Sequence, residues 1–385
     1  MRYCPKTTSP FWHDWHMTAN GNSPTRIAFF NHKGGVSKTT SVFHVGWMLA
    51  ERGHTVLMVD TDAQCNLTGM VMGFKGSGEL EAFYTEHGDS TIRSAVAPAF
   101  EGRPRPIEAV TTVQVPGREG LHLLAGDIRL AEYEVTLGIA QELSGSIQAL
   151  QNVPGSISYA IDETAKSIGA DYVLIDMSPG LGAINQNLVG ISDYIIVPVA
   201  PDFFSVLALD SLSRVLPRWR KWASQAASME ILAEAAYPFP DRNTKVLGTI
   251  VQRFRPRAGK PAAAFQRWID EIGNSFKSNL RPALQKSGQL LSAEAYSAAG
   301  VGEDMALAYI ADFNSLIGVS QEHSTPVFAL TEEQIPNVGV VLETNIESTE
   351  RFHAEFSELA QRIERLVTSI SGEMSITLPP VGIPE

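Results

Sequence analysis

Two lysines, two glycines and two threonines fall within the eight residues Lys33-Gly34-Gly35-Val36-Ser37-Lys38-Thr39-Thr40. Glycines let a phosphate approach the backbone, whose free N–H groups can then bind it. Lys38 adds a point charge for the β- and γ-phosphates, and the Thr39 hydroxyl is placed to ligate Mg²⁺. This chemistry needs a strand in front and a helix behind. The apolar run 26–30 reads as a buried strand, and the apolar spacing of 41–52 reads as a helix that Gly53 can close. Strand, glycine turn and helix N-terminus together predict a nucleoside triphosphate site.

The loop departs from the plain pattern G-x-x-x-x-G-K-[ST]. Asn31 and Ser37 stand where glycines belong, and a second lysine, Lys33, heads the turn. With that lysine pair the chain resembles the ParA/MinD ATPases, which carry a deviant Walker A loop, and within them the ParA branch of partition ATPases. Three later stretches extend the resemblance. Residues 55–59 read as a strand running into Asp60-Thr61-Asp62-Ala63-Gln64-Cys65-Asn66-Leu67-Thr68, similar to the switch I pattern D-x-D-P-Q-x-N-x-T with Ala63 in the proline position. Residues 172–176, ending in Asp176 and followed by Met177-Ser178-Pro179-Gly180-Leu181-Gly182, are similar to a Walker B strand entering switch II. Residues 194–199 and 201–205 resemble the family's next strand and loop. An open, mostly parallel twisted α/β sheet with helices on both faces is the implied fold, and its strands deliver their carboxyl ends to one ligand crevice.

The resemblance also implies roles. Gly34, Gly35, Val36, Ser37 and Lys38 would give N–H groups to the β-phosphate, and Thr40 would reach the α-phosphate. Thr39 would bind Mg²⁺, with Asp176 and Asp60 holding the metal's waters. Asp62 would orient the attacking water. Lys33 would reach across a homodimer interface to the partner's ATP, although an ordinary exposed lysine is the alternative. Gln252, after an expected strand at 246–251, would read the adenine edge, since an amide both donates and accepts. ATP hydrolysis would then time the binding and release of DNA or of a partner protein that stimulates turnover.

Charge is uneven. The 385 residues carry −12 in all, yet residues 211–290 hold fourteen Lys and Arg against five Asp and Glu. Arg214, Arg218, Arg220, Lys221, Arg253, Arg255, Arg257 and Lys260 are the candidates for a face that holds phosphate backbone without reading bases. Trp219 and Trp222 are interleaved with the first cluster. Solvated helix faces, or pairing with acids from elsewhere in the chain, would explain the same residues.

The organisation expected is a polar arm (1–24), one ATPase domain (25–370) with an elaborated region at about 70–165, and a tail (371–385). The arm is too short for a helix-turn-helix module, and its two histidines are a poor metal set. Residues 97–106 read as loop, 121–127 as strand, 128–142 as helix, 325–330 as a last strand and 348–367 as a core-facing helix. Two cysteines make no disulfide framework, which predicts a reducing cytoplasm, with nucleoid association if DNA is bound. No secretory signal, membrane span or terminal basic helix is expected; Pro379 and Pro380 interrupt the end. Two rival readings remain: an ATP-gated regulatory subunit of a larger complex, such as an antiviral system, and a small-molecule kinase or ligase on the same fold. An iron–sulfur carrier lacks its paired cysteines.

Overall fold

The computed structural model describes residues 23–143, 147–257, 260–368 and 378–382. The expected arm up to residue 22 and most of the expected tail lie outside them. Strands β1 (Thr25–Phe29), β2 (Val56–Asp60), β3 (Val113–Gln114), β4 (Leu121–Leu124), β5 (Tyr172–Asp176), β6 (Tyr194–Val199) and β7 (Lys245–Phe254) come first along the chain. A short ribbon, β8 (Pro256–Arg257) with β9 (Lys260–Pro261), follows, and β10 (Ala306–Ala311) closes the set. The main sheet has the order β10-β7-β6-β1-β5-β2-β4-β3, parallel except for β3 at the edge. Its central strands are apolar on both faces because helices cover both.

Topology sets which helix lies where. The helices are α1 (Lys38–Glu51), α2 (Asn66–Met72), α3 (Ser77–His87), α4 (Ile92–Phe100), α5 (Glu134–Glu142), α6 (Val153–Ser167), α7 (Ala183–Gly190) and α8 (Phe203–Ser228), then α9 (Glu230–Ala233), α10 (Ala263–Ser275), α11 (Arg281–Lys286), α12 (Ala293–Ala298), α13 (Leu316–Glu322) and α14 (Val340–Thr368). The β1–α1–β2 step moves one way across the sheet and the β5–α7–β6 step the other. Right-handed crossovers therefore put α1 and α7 on opposite faces. On one face α1 packs against α14, whose Phe352, Phe356, Leu359, Ile363 and Leu366 are buried as their spacing predicts. On the other, α7 and α8 pack together, with Trp219 of α8 against Phe30 at 5.3 Å.

Register then positions the chemistry. Phe29 pairs with Asp176, and Asp176 pairs with Asp60, so β1, β5 and β2 end at one level. The loop after β1 and both carboxylates share that end.

Several expectations on the elements are corrected. Residues 325–330 form no strand; Val327–Ala329 is a single 3-10 turn, and the edge strand is β10 instead. The backbone N–H of Val327 donates to Nε2 of buried His44 on α1 (3.1 Å), which leaves no ladder for it to join. Residues 97–100 belong to α4, with Pro98 inside the helix. There Ala97 and Pro98 are buried, Phe100 stacks on Tyr133 at 4.3 Å, and Thr91 closes a capping box, which together outweigh the proline. The helix expected at 128–142 is a 3-10 segment (Ile128–Tyr133) followed by α5.

Candidate functional site

Ser37 precedes α1 with φ 60, and among the described residues no side chain caps the helix. Free N–H groups and the positive helix end therefore face the loop. Gly35 is also left-handed, at φ 72. The residues Gly34 to Thr40 line a cleft of about 800 Å³, shared with Asp62, Gln64, Cys65, Asn66, Pro179 and parts of α2 and α3. Lys38 lies almost buried beneath the turn, its Nζ 3.3 Å from the Lys33 carbonyl. Burial lowers its pKa, while Asp176 and Asp62 pull it back up.

Below the cleft sit two carboxylates with different surroundings. Asp60 is engaged: Thr68 donates both its N–H (2.8 Å) and its hydroxyl (2.6 Å) to Oδ2, and the Asp62 N–H reaches Oδ1 at 3.2 Å. The Thr68 hydroxyl also accepts from the Gly126 N–H (2.8 Å), and a Cβ at Gly126 would stand 2.9 Å from the Asp60 carboxyl carbon. Asp60 thus fastens the 61–68 loop to the end of β4. Asp176 is fully buried, and neither oxygen has a hydrogen-bond partner among the described residues. Burial, and then Asp60, raise its pKa well above the carboxylate range; the nearby Thr39 hydroxyl and Lys38 pull the other way. Asp60 itself is pushed up to about 6, chiefly by burial and against its bonds from Thr68. A buried carboxylate without donors beside a threonine hydroxyl, an ammonium and a helix N-terminus fits a divalent cation that carries phosphate.

The remaining expected residues fall as follows. Asp62 lines the cleft, with Oδ1 held by the Gln64 N–H at 3.0 Å. Lys33 does not point into solvent: its Nζ reaches Asp202 Oδ2 at 2.5 Å and Ser205 Oγ at 3.2 Å within the same chain. Asp202 caps α8 through the Ser205 N–H (2.9 Å), so this lysine is tied to the start of that helix. Gln252 is buried and donates to the Ser41 hydroxyl of α1; it does not line the cleft. Arg214, Arg218 and Lys221 lie on the exposed side of α8, and Arg220 donates to Asn243 at 3.2 Å. Arg255 is exposed near Asp312 (3.8 Å), and Arg257 and Lys260 stand on the β8–β9 ribbon. Arg253 donates instead to the Gly35 carbonyl at 2.8 Å. Trp219 and Trp222 pack on Phe30 and Phe239 and present no stacking platform.

Sequence reasoning missed Asp202 and Ser205 as the partners of Lys33, and Thr68 and Gly126 as the fasteners of Asp60. An acidic residue just before an apolar helix marks Asp202 as a cap, but nothing local links it to a lysine 169 positions earlier. Among the described residues no helix is long and apolar enough to cross a membrane.

Known proteins resemble this chain in sequence and in fold. A family model described as an AAA domain matches residues 25–228, more than half of the chain. The chromosome partitioning protein ParA of Caulobacter vibrioides is 30% identical over 207 residues, covering 53% of this chain and 66% of that protein. The sporulation initiation inhibitor protein Soj of Bacillus subtilis is 27% identical over 190 residues, covering 49% and 62%. The chain thus spans less than two thirds of the length of either relative. Among solved structures, a protein from Corynebacterium diphtheriae superposes with a TM-score of 0.57 at 18% identity, over 89% of this chain and 99% of that one. The pNOB8 ParA structure, bound to nonspecific DNA, gives 0.52 at 15% identity, over 90% and 99%. These two likenesses speak to the fold alone. With the lysine-headed loop, the two strand-end carboxylates and the matched model taken together, the chain belongs to the ParA/MinD-like P-loop ATPases.

Proposed function

We propose that this protein binds ATP with Mg²⁺ in the cleft under residues 33–40, closes as an ATP-sandwich homodimer, and hydrolyses the nucleotide to time its hold on nonspecific DNA and on a partner or cargo. The observation that carries this reading is Asp176: a buried carboxylate whose oxygens lack a hydrogen-bond partner at bonding distance among the described residues, set beside the Thr39 hydroxyl and Lys38 at the N-terminus of α1. Asp176 and Thr39 would hold the metal. Bound there, magnesium would neutralise charge on the phosphate oxygens.

The chain's own residues would do the rest. The N–H groups of 34–38 bind the β-phosphate, Lys38 spans the β- and γ-phosphates, and Thr40 faces the α-phosphate. Asp62, with one oxygen pinned by Gln64, orients the attacking water through the other. Asp60 serves by holding the 61–68 loop in place. Lys33 balances charge on the partner's triphosphate, which requires it to leave Asp202. The Gln252 amide reads the base only if it also leaves Ser41. DNA is held by the exposed cations of α8 and by Arg257 and Lys260 of the β8–β9 ribbon, a sequence-independent hold set by phosphate charge.

The test is retardation of sequence-unrelated duplex DNA, with and without ATP, across a salt series. Binding that needs ATP and falls steeply with salt supports the reading. ATP-independent binding, or none at low salt, contradicts the DNA arm. Asp62→Ala should retain ATP and the dimer while losing turnover; hydrolysis at the parental rate refutes the role given to Asp62.

A further inference from the structure

The geometry points to Arg253 as a positioning residue of the nucleotide site, holding the peptide between Gly35 and Val36 so that its N–H faces the bound phosphate. This rests on the nucleotide reading above, and it draws Arg253 away from the DNA-facing cations with which its sequence neighbours group it.

Arg253 is the penultimate residue of β7, whose carboxyl end opens on the same crevice as those of β1, β2 and β5. Its neighbours Gln252 and Phe254 are buried, while Arg253 turns outward with φ 66. A side chain with a Cβ takes this left-handed conformation only where the surroundings impose it, and such residues gather at functional sites. Here the turn brings the guanidinium NH1 to the Gly35 carbonyl at 2.8 Å, across 218 residues of sequence. Among the described residues no carboxylate pairs with Arg253, whereas Arg255, two positions on, faces Asp312.

The peptide plane converts that one bond into an orientation. In a trans peptide the carbonyl and the following N–H point in opposite directions. With the Gly35 carbonyl drawn toward Arg253, the Val36 N–H points away from it. Gly34 to Thr40 line the cleft and Arg253 does not, and we take the loop to separate the two. The Val36 N–H is therefore directed to the cleft side, where the β-phosphate would sit. Gly35 lacks a Cβ and sits at φ 72, so its peptide can flip cheaply. A flipped peptide would present a carbonyl oxygen to the phosphate and repel it. A cationic donor outside the loop removes that alternative.

The experiment uses the full chain, with R253A, R253K and the parental protein titrated calorimetrically with ATP and with ADP, each also followed by thermal melting and by DNA retardation. R253A is expected to weaken ATP and ADP alike by about tenfold, because the β-phosphate is common to both and one charge-assisted hydrogen bond is lost. The melting midpoint without nucleotide should stay that of the parent. R253K, or R253A with a few millimolar added guanidinium, should regain part of the affinity. Parental affinity in R253A overturns the proposal. So does a loss that neither lysine nor guanidinium restores, or one accompanied by a lower melting midpoint. Weaker DNA binding with nucleotide affinity intact also overturns it and returns Arg253 to the DNA face. A parental protein that binds no ATP sinks the nucleotide reading itself, and a K38A control in the same titration identifies that case.

Discussion

The two ends of the central sheet both bury charge, and they treat it in opposite ways. At the amino end Arg26 is fully buried at the start of β1, yet it donates to the Ser158 hydroxyl (2.8 Å), the Ile191 carbonyl (3.2 Å) and the Ser158 carbonyl (3.3 Å), and pairs with Asp162. Asp193 accepts from the Arg26 N–H (2.9 Å) and from Arg242 (2.6 Å). At the carboxyl end Asp176 is equally buried, and among the described residues neither of its oxygens has a partner at hydrogen-bond distance. Ser37 and Cys65, which precede the helices facing the cleft, both hold left-handed backbone. The first end pairs its charges, with Arg26 Nε alone of that guanidinium lacking a partner among the described residues, and makes stability. The second leaves the Asp176 carboxyl without a partner among the described residues and two turns strained, which the proposed ligand would answer.

Substitutions at the two ends should separate these roles. The largest effect is expected of Arg26→Ala, which strands Asp162 and removes a buried network; it should cost about 3–5 kcal/mol in denaturant unfolding. Nucleotide affinity of whatever remains folded should be unchanged. Lys38→Ala should weaken ATP by at least about a hundredfold, roughly 2.7 kcal/mol by calorimetry, with little change in the melting midpoint. Asp176→Asn is the sharpest contrast: it should abolish Mg²⁺-dependent turnover yet leave the nucleotide-free protein at least as stable as the parent, because a buried carboxyl that repels Asp60 is gone. A destabilised Asp176→Asn protein would show that the carboxylate is already satisfied.

The smallest effect concerns pH. Burial raises the pKa of Glu364, but hydrogen bonds from His54 and Arg52 outweigh it and hold the carboxyl at about 2. A depressed carboxylate contributes stability above its ordinary value of 4.5 and loses it as pH falls toward 2. Because Arg52 and His54 are partly solvated, Glu364→Gln should remove only about 1 kcal/mol at pH 7. The two proteins should converge in chemical denaturation near pH 2.

Much of the site could be read from the chain because its parts are local. Strand, turn, Lys38 and Thr39 are contiguous, and Asp60 and Asp176 each end an apolar run. The parallel sheet follows from the same runs, since strands covered on both faces are apolar throughout. What escaped was set by distant contacts. His44 accepts from the Val327 N–H on Nε2 and gives its Nδ1 proton to the Thr40 carbonyl (2.8 Å), and burial pushes its pKa down to about 3. A sequence shows no sign that residue 327 ends its chain path on a histidine of α1, and so the expected last strand was misplaced. The six apolar residues 306–311 did carry a strand signal. Arg253 and Lys33 escaped for the same reason: their partners lie 218 and 169 residues away.

Lys33 is held by Asp202 within one chain and is proposed to serve another. Light scattering of the parental protein and Lys33→Ala, each saturated with Mg²⁺ and a non-hydrolysable ATP analogue, tests it directly. The parent should pass from monomer to dimer on adding the analogue, and Lys33→Ala should bind the analogue and remain monomeric. A parent that stays monomeric at saturation, or a Lys33→Ala protein that dimerises as the parent does, would contradict the account.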